Sequence, residues 1–104
     1  MINTILKALG VPYKETMFTE TPPSGDYAVY FDEVDVDGPD YENRIFTHAI
    51  MVEMYEAKPS PTLEQALEGL LNSRGIKWHK QSRTWIAEAR RFMVIYEFTY
   101  IEKT

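Results

Sequence analysis

The stretch from residue 92 to residue 101 places the strongest constraint on the fold of this chain. Its side chains form two interleaved and largely apolar sets: Phe92, Val94, Tyr96, Phe98 and Tyr100, and between them Met93, Ile95, Thr99 and Ile101. Successive side chains of a β-strand point to opposite faces of the sheet. A strand that is apolar on both faces is typical of a sheet interior. We therefore expect a central strand here, with a neighbour on each side.

A β-hairpin is predicted upstream of this strand. Residues 27–31 form a β-branched and aromatic run, and residues from about 44 to 55 alternate in polarity. The acidic segment between them contains Asp37-Gly38-Pro39-Asp40, which is a strong turn signal. Shorter extended pieces are predicted at 13–17, 76–80 and 84–86, and residues 19–26 have the composition of a loop.

Two helices complete the prediction. Residues 2–9 have helical apolar spacing and are followed by Gly10, and the second helix begins near Pro61, with Ser60 or Thr62 as its N-cap, and ends at Gly75. Its apolar stripe comprises Leu63, Ala66, Leu67, Leu70 and Leu71. The order α-β-β-α-β-β predicts one α+β domain over residues 1–104. We expect a mainly antiparallel sheet of three to four strands with helices packed on one face.

Residue types and motifs argue against catalysis. The chain has no cysteine, which removes thiol nucleophiles, thiolate metal ligands and disulfides. His48 and His79 lie in different predicted strands without metal-ligand spacing, so we expect His48 to be packed and hydrogen-bonded and His79 to be exposed. No phosphate-binding glycine loop or serine-nucleophile motif occurs. The sequence predicts a protein that is not an enzyme and that uses no cofactor and no metal.

The acidic segment 32–42 resembles part of a calcium-binding loop. Glu33, Asp35, Asp37 and Gly38 would occupy positions 1, 3, 5 and 6 of an EF-hand. Position 12, which supplies a bidentate glutamate, is Arg44. A solvated hairpin turn is favoured for this segment, with a weak divalent-ion site as the alternative.

Charge is unevenly divided along the chain. Residues 1–72 carry 13 acids against four bases, a net of −9, whereas residues 73–104 carry seven bases against three acids, a net of +4. Either copies attract one another head to tail, or the fold brings the halves together and cancels them. Under the first alternative the candidate interface residues are Asp35, Asp37, Asp40, Lys77, Lys80, Arg83, Arg90 and Arg91. Reversing Lys77 and Lys80 to glutamate should then impair assembly more than folding.

Two further interpretations concern nucleic acid and membranes. Residues 74–91 hold six Lys or Arg with Trp78 and Trp85 between them, a pattern that single-stranded nucleic-acid sites share. Because the net charge of the chain is −5, we expect instead that the tryptophans anchor the sheet and that no specific nucleic acid binds. No apolar stretch reaches the ~18 residues of a membrane span, and the N-terminal residues lack an export signal.

Most of the chain resembles a known family. The segment Leu-Glu-Gln-Ala-Leu-Glu-Gly-Leu-Leu-Asn-Ser-Arg-Gly-Ile-Lys-Trp-His-Lys at 63–80, followed by Trp85-Ile86 and Tyr96-Glu97-Phe98, is similar to the tail-completion (head–tail joining) proteins of long-tailed bacteriophages and prophages. The short helix ending at Gly10, the strand at 27–31 and Val52-Glu53-Met54-Tyr55 fit the same pattern.

This resemblance implies an α+β fold related to tail terminators and a structural role in the virion. Copies would form a ring that caps the tail tube and joins it to the capsid connector. The implied partners are further copies of the chain, the tail tube protein and the connector, with assembly in the bacterial cytoplasm. The alternative is a small cytoplasmic adaptor or regulatory binding module of similar fold.

Overall fold

Two helices and six strands make up the protein in a computed structural model that describes residues 1–37 and 44–103. The elements in chain order are α1 (Ile2–Leu9), β1 (Tyr13–Glu15), β2 (Tyr27–Asp37), β3 (Ile45–Glu56), α2 (Pro61–Ser73), β4 (Trp78–Lys80), β5 (Thr84–Ile86) and β6 (Arg91–Lys103). The strands form one sheet in the order β1-β2-β3-β6-β4, and β5 also pairs with β6. Only the β1–β2 pair is parallel. The predicted α+β class is confirmed.

The central position expected for residues 92–101 is also confirmed. Strand β6 pairs with β3 along one side and with β4 and β5 along the other. The sheet has more strands than the predicted three or four, because β1, β4 and β5 each pair as separate three-residue strands. Such short pieces carry too little sequence pattern to be counted with certainty from periodicity.

The helix ends follow the predicted capping chemistry. Ser60 is the N-cap of α2, and its Oγ accepts a hydrogen bond from the Leu63 amide at 3.3 Å. This selects Ser60 over Thr62. Gly10 and Gly75 both have positive φ, 89° and 69°, which glycine adopts with little steric cost.

Both helices pack on one face of the sheet, as expected. Ile5 and Leu6 of α1 and Leu67 and Leu71 of α2 are fully buried against the sheet. Within the predicted stripe of α2, however, Ala66 is exposed. The face of α2 that meets the sheet is centred on Leu67 and Leu71 and includes Glu64 instead.

The hairpin β2–β3 is confirmed, but its first strand is longer than predicted. Residues 32–37 continue β2, with Asp32 opposite Ile50 and Asp37 opposite Ile45. The acidic composition suggested a turn because Asp and Glu are depleted in strands. Pairing along the whole of β3 overrides that preference. The turn itself, including Gly38 and Asp40, lies outside the described residues.

The three long strands extend beyond the short strands that flank them, although Ile50 and Tyr100 still belong to the core. Strand β1 covers the outer side of β2 only at residues 28–30, and β4 and β5 cover the outer side of β6 only at 96–98 and 91–93. We call residues 31–37, 45–50 and 99–103 the arm, and the remaining described residues the body. The arm contributes to an elongated shape of 47 × 29 × 22 Å.

Candidate assembly surface

Two edges of the arm pair with no other strand of the described residues, and their hydrogen-bonding groups can be assigned. The Ala28 amide donates to Pro12 at 2.9 Å and the Tyr30 carbonyl accepts from Thr16 at 2.8 Å, so even-numbered residues of β2 direct their backbone groups outward. On the other side, the Ile95 carbonyl accepts from Gln81 at 2.9 Å, so odd-numbered residues of β6 point outward. Beyond β1 and β4 these outward groups meet no described strand. Open edges of this kind are templates for pairing with another chain.

Side chains on the arm are unusually exposed for their type. Four large apolar side chains that are a third or more exposed lie there: Phe31, Val34, Val36 and Ile101. Glu33, Asp35 and Asp37 form an acidic row, because they alternate along β2 and share the face of the sheet opposite the helices. Val34 and Val36 lie on the helix-side face, and Phe31 and Ile101 lie on the opposite face. Lone exposed apolar residues are normal on any protein, but several of them beside open backbone edges are typical of an interaction surface.

His48 links the strands of the arm on the helix-side face. Its Nδ1 lies 2.9 Å from a carboxylate oxygen of Asp32 on β2, and its ring stacks on Tyr100 of β6 with centroids 4.5 Å apart. Its Nε2 faces Glu102. The side chain is 12% exposed. The expectation of a packed, hydrogen-bonded His48 is confirmed, and His79 is exposed as expected.

The body encloses a polar cluster between β3, α2 and the loop that joins β4 to β5. Glu56 is fully buried and Glu64 is 3% exposed. Arg83 donates to Glu64 and lies 3.4 Å from Glu56. Lys80 Nζ lies 2.7 Å from Glu64 and 3.0 Å from Glu68. Acids of the first part of the chain are thus paired with bases of the second part inside one molecule.

The surroundings of the two glutamates in this cluster shift their pKa values in opposite directions. Burial, the hydrogen bond to Glu64 and the charge of Glu64 together raise the pKa of Glu56 to about 7. Burial alone would raise the pKa of Glu64 too, but hydrogen bonds from Lys80, Glu56 and Arg83 lower it below its ordinary range. Oε2 of Glu56 is buried and accepts no hydrogen bond from any described residue. A proton on Glu56 that is donated to Glu64 satisfies both groups.

The sequence contained a signal for this cluster that was missed. Glu64 lies three residues before Leu67 and seven before Leu71, so it shares the buried face of α2. Glu56 continues the inward alternation of Val52 and Met54 on β3. A charged residue on the apolar side of a periodic pattern predicts either a buried ion pair or a shift in the pattern.

The candidate interface residues do not form one surface. Asp35 and Asp37 lie on the arm, Lys77 is exposed beside β4, and Asp40 lies outside the described residues. Lys80 and Arg83 point into the polar cluster. Reversing Lys77 and Lys80 should therefore disturb folding as well as assembly, because Lys80→Glu would set a further carboxylate beside Glu64 and Glu68.

The last two candidate cations lie at the start of β6. Arg90 is exposed and has a left-handed backbone, with φ of 51°. Arg91 donates to the carbonyls of Ser24 at 2.7 Å and Gly25 at 3.2 Å, and its guanidinium lies 5.9 Å from the ring centroid of Tyr27. Arg91 therefore holds the loop at 19–26 against the sheet.

The basic segment 74–91 is partly used inside the molecule. Lys80, Arg83 and Arg91, half of its six cations, have partners within the fold. Trp78 anchors the sheet as expected, with an edge-on contact to Tyr96 at 5.7 Å and a hydrogen bond to Asn72 at 2.9 Å. Trp85 contacts Phe92 but is 51% exposed, so it anchors the sheet less than expected.

Neither a metal site nor a membrane span is evident in the part of the chain that the structure describes. Within residues 1–37 and 44–103, no three His, Asp or Glu side chains converge as a cation site would require. The weak divalent-ion alternative for 32–42 extends into residues beyond that part. Neither of the helices in these ranges is long and apolar enough to cross a bilayer.

The similarity of this chain to known proteins is found among solved structures. No family model matches the sequence, and no curated protein does. Among solved structures, a chain from the "Virion of native gene transfer agent (GTA) particle" has a similar fold, with a TM-score of 0.58. The match covers 96% of this chain and 84% of that chain at 10% sequence identity. At this identity the similarity shows a shared fold.

Proposed function

We propose that this chain is a structural protein of a phage or phage-like virion. The observation that carries the proposal is the fold shared, over 96% of the chain, with a component of a gene transfer agent particle. The similarity of residues 63–80, 85–86 and 96–98 to tail-completion proteins points to the same class of particle. Fold alone does not imply function, so the shared fold supports the class of particle and the role within it needs a test of its own.

The finer proposal places the protein at the head–tail interface. There it caps the tail tube and joins the tube to the capsid connector as a ring of identical domains, each spanning residues 1–104. The arm supports this role because its open edges and exposed apolar side chains lie apart from the helix-covered core. A subunit in a ring needs two different contact surfaces, one for each neighbour.

The chemistry of the polar groups is consistent with a structural role. The buried carboxyl groups of Glu56 and Glu64 have Arg83 as a partner within the body. The groups that remain exposed in rows lie on the arm. A strand surface of this kind serves association and not turnover, so we propose assembly with other virion proteins and no catalysis.

Deletion of the gene from the phage or prophage that carries it tests this function. Electron microscopy of the lysate should show filled heads separate from tails, some of them of abnormal length. Re-expression of the wild-type chain in trans should restore joined particles, which serves as the control. Intact infectious particles from the deletion strain would contradict the proposal and leave the cytoplasmic adaptor as the better interpretation.

A further inference from the structure

The two open edges of the arm lie at the same height on opposite sides of the sheet. Val34 of β2 is opposite His48 of β3, which is opposite Tyr100 of β6. Asp35 is likewise level with Thr47 and Ile101. If rotation about an axis parallel to the strands generates a second copy, the β6 edge of one copy therefore lies beside the β2 edge of the other, with no shift along that axis. Contacts without such a shift close into rings, whereas a shift produces a helical filament.

The hydrogen-bonding groups of the two edges are complementary at this register. Strand β2 is antiparallel to β3 and β3 to β6, so β2 and β6 run in the same direction. In a parallel pair, one residue bonds to the two residues that flank its opposite number. Val34 directs its groups outward, and the residues that flank Tyr100, Thr99 and Ile101, direct theirs outward too. A level parallel pairing between copies thus satisfies the outward groups of both strands.

The side-chain charges favour pairing of β2 with β6 over pairing of β2 with β2 of a second copy. If β2 met β2 of a second copy, the acidic row of one chain would meet the acidic row of the other. Like charges directly opposite on paired strands are destabilising. The β6 side offers Thr99 and Ile101 on the same face, with exposed Lys77 next to this edge. The acidic row therefore fits the β6 edge better than it fits its own copy.

We propose that the outer edge of β2, residues 32–37, pairs in parallel with the outer edge of β6, residues 99–103, of a second copy of this chain, joining the sheets of neighbouring copies around a ring. The inference rests on the ring assembly of the proposed function and adds the interface through which it forms. The short strands β1 and β4 end where this pairing begins, so joined copies touch at their arms and splay at their bodies. The pairing also covers part of the exposed apolar surface at Val34, Val36 and Ile101.

Engineered disulfides test the proposed register, since the chain has no cysteine of its own. The double variant Asp35→Cys, Ile101→Cys places one thiol on each side of the interface. In the proposed pairing, position 35 of one copy lies opposite position 101 of the next copy, on the same face of the sheet. Neighbouring strands lie about 4.8 Å apart, within the Cα separations that disulfides bridge. Mild oxidation of the concentrated protein should produce a ladder of covalent multimers that ends in a closed ring and collapses to monomer on reduction.

Matched controls make the result specific. The variant Val34→Cys, Ile101→Cys places its thiols on opposite faces of the arm and should give no ladder. Adding Val34→Pro to the cross-linking pair removes an outward donor while the β2–β3 pairing remains, and should abolish the ladder without loss of folded circular dichroism. A product limited to monomer would overturn the inference. So would efficient dimers from Asp35→Cys alone or Ile101→Cys alone, which would show like-edge pairing.

The same double variant separates this inference from the proposed function. It should be expressed in the deletion strain and the particles oxidised after purification. If particles contain the chain but it does not cross-link, the edge pairing fails and the structural role stands. If the isolated chain forms covalent rings but particles assemble without it, the pairing stands and the proposed function fails.

Discussion

The body and the arm share strands β2, β3 and β6 but differ in whether their acidic side chains are buried or exposed. In the body, Glu56 and Glu64 are enclosed and matched by Arg83 from a distant loop. In the arm, Glu33 and Asp35 lie on a sheet face that no helix covers. An enclosed charge must have its partner within the molecule, whereas an exposed row can be matched by another molecule. The comparison indicates that folding energy is concentrated in the body and that the arm is available for association.

The largest expected effect is the difference in stability lost when a buried side chain of the body and an exposed side chain of the arm are truncated. Leu67 is fully buried under the body of the sheet, whereas Ile101 is 59% exposed on the arm. Leu67→Ala should lower the free energy of unfolding by about 2–5 kcal/mol, because it leaves a cavity. Ile101→Ala should change it by less than about 0.5 kcal/mol. Urea denaturation of both variants at low protein concentration measures the two effects.

Equal losses of unfolding free energy in Leu67→Ala and Ile101→Ala would contradict this difference between body and arm. They would show that Ile101 is covered in the free protein and that the arm contributes to folding as the body does. The slope of unfolding against urea should be checked for both, since a changed slope would point to altered compactness.

The pH dependence of stability should be set by the body. The pKa of Glu56 rises from its ordinary value of 4.5 to about 7 in the fold. Between these values the folded chain binds a proton that the unfolded chain does not, so stability should fall as pH rises through that window. The full difference corresponds to roughly 3 kcal/mol. The lowered pKa of Glu64 acts in the opposite direction, and its contribution is lost as pH falls through the acidic range.

Glu56→Gln provides the test of this pH dependence. The amide stays neutral at every pH and can still donate to Glu64, so the variant should be about 3 kcal/mol more stable than wild type at pH 8 and equal to it near pH 4. Thermal unfolding across this range measures the difference. Glu33→Gln on the arm is the matched control and should follow the wild-type profile, because that carboxylate is exposed. A wild-type profile that rises between pH 5 and 8 would contradict the assignment.

The sequence allowed much of this comparison to be predicted, for local reasons. The interior position of β6 and the span of α2 follow from periodicity and caps that lie within the elements themselves. The extent of β2 does not, because residues 32–37 have turn-like composition and become a strand through pairing with β3. The cluster around Glu56 could be predicted only in part, because the inward position of Glu56 follows from the alternation of β3 but its partner does not. Burial of that carboxylate depends on Arg83, which arrives 27 residues later in a loop with no pattern of its own.

The candidate interface shows the same limit. Charge makes Asp35 and Asp37 interface candidates, and both lie on the arm. Charge equally makes Lys80 and Arg83 candidates, but these two lie against the polar cluster. Charge in a sequence identifies residues that need partners, but only the tertiary arrangement shows whether the partner lies in the same chain. The level open edges of β2 and β6 depend on where β1 and β4 stop, which no local pattern reveals.

The smallest expected effect tests whether contacts within the arm contribute to the stability of the protein. His48 bonds to Asp32 and stacks on Tyr100, so it provides a polar link between β2 and its neighbours in the arm. His48→Phe keeps an aromatic ring on Tyr100 but loses the hydrogen bond, and should lower the free energy of unfolding by about 1 kcal/mol. Because Asp32 is left without its donor, His48→Phe combined with Asp32→Asn should cost less than the sum of the two single changes. Additive losses would show that the contact between His48 and Asp32 contributes nothing. Amide exchange should then locate the effect: faster exchange confined to residues 45–50 and 99–103 would mark the arm as a separately opening unit, whereas uniformly faster exchange would make arm and body one cooperative structure.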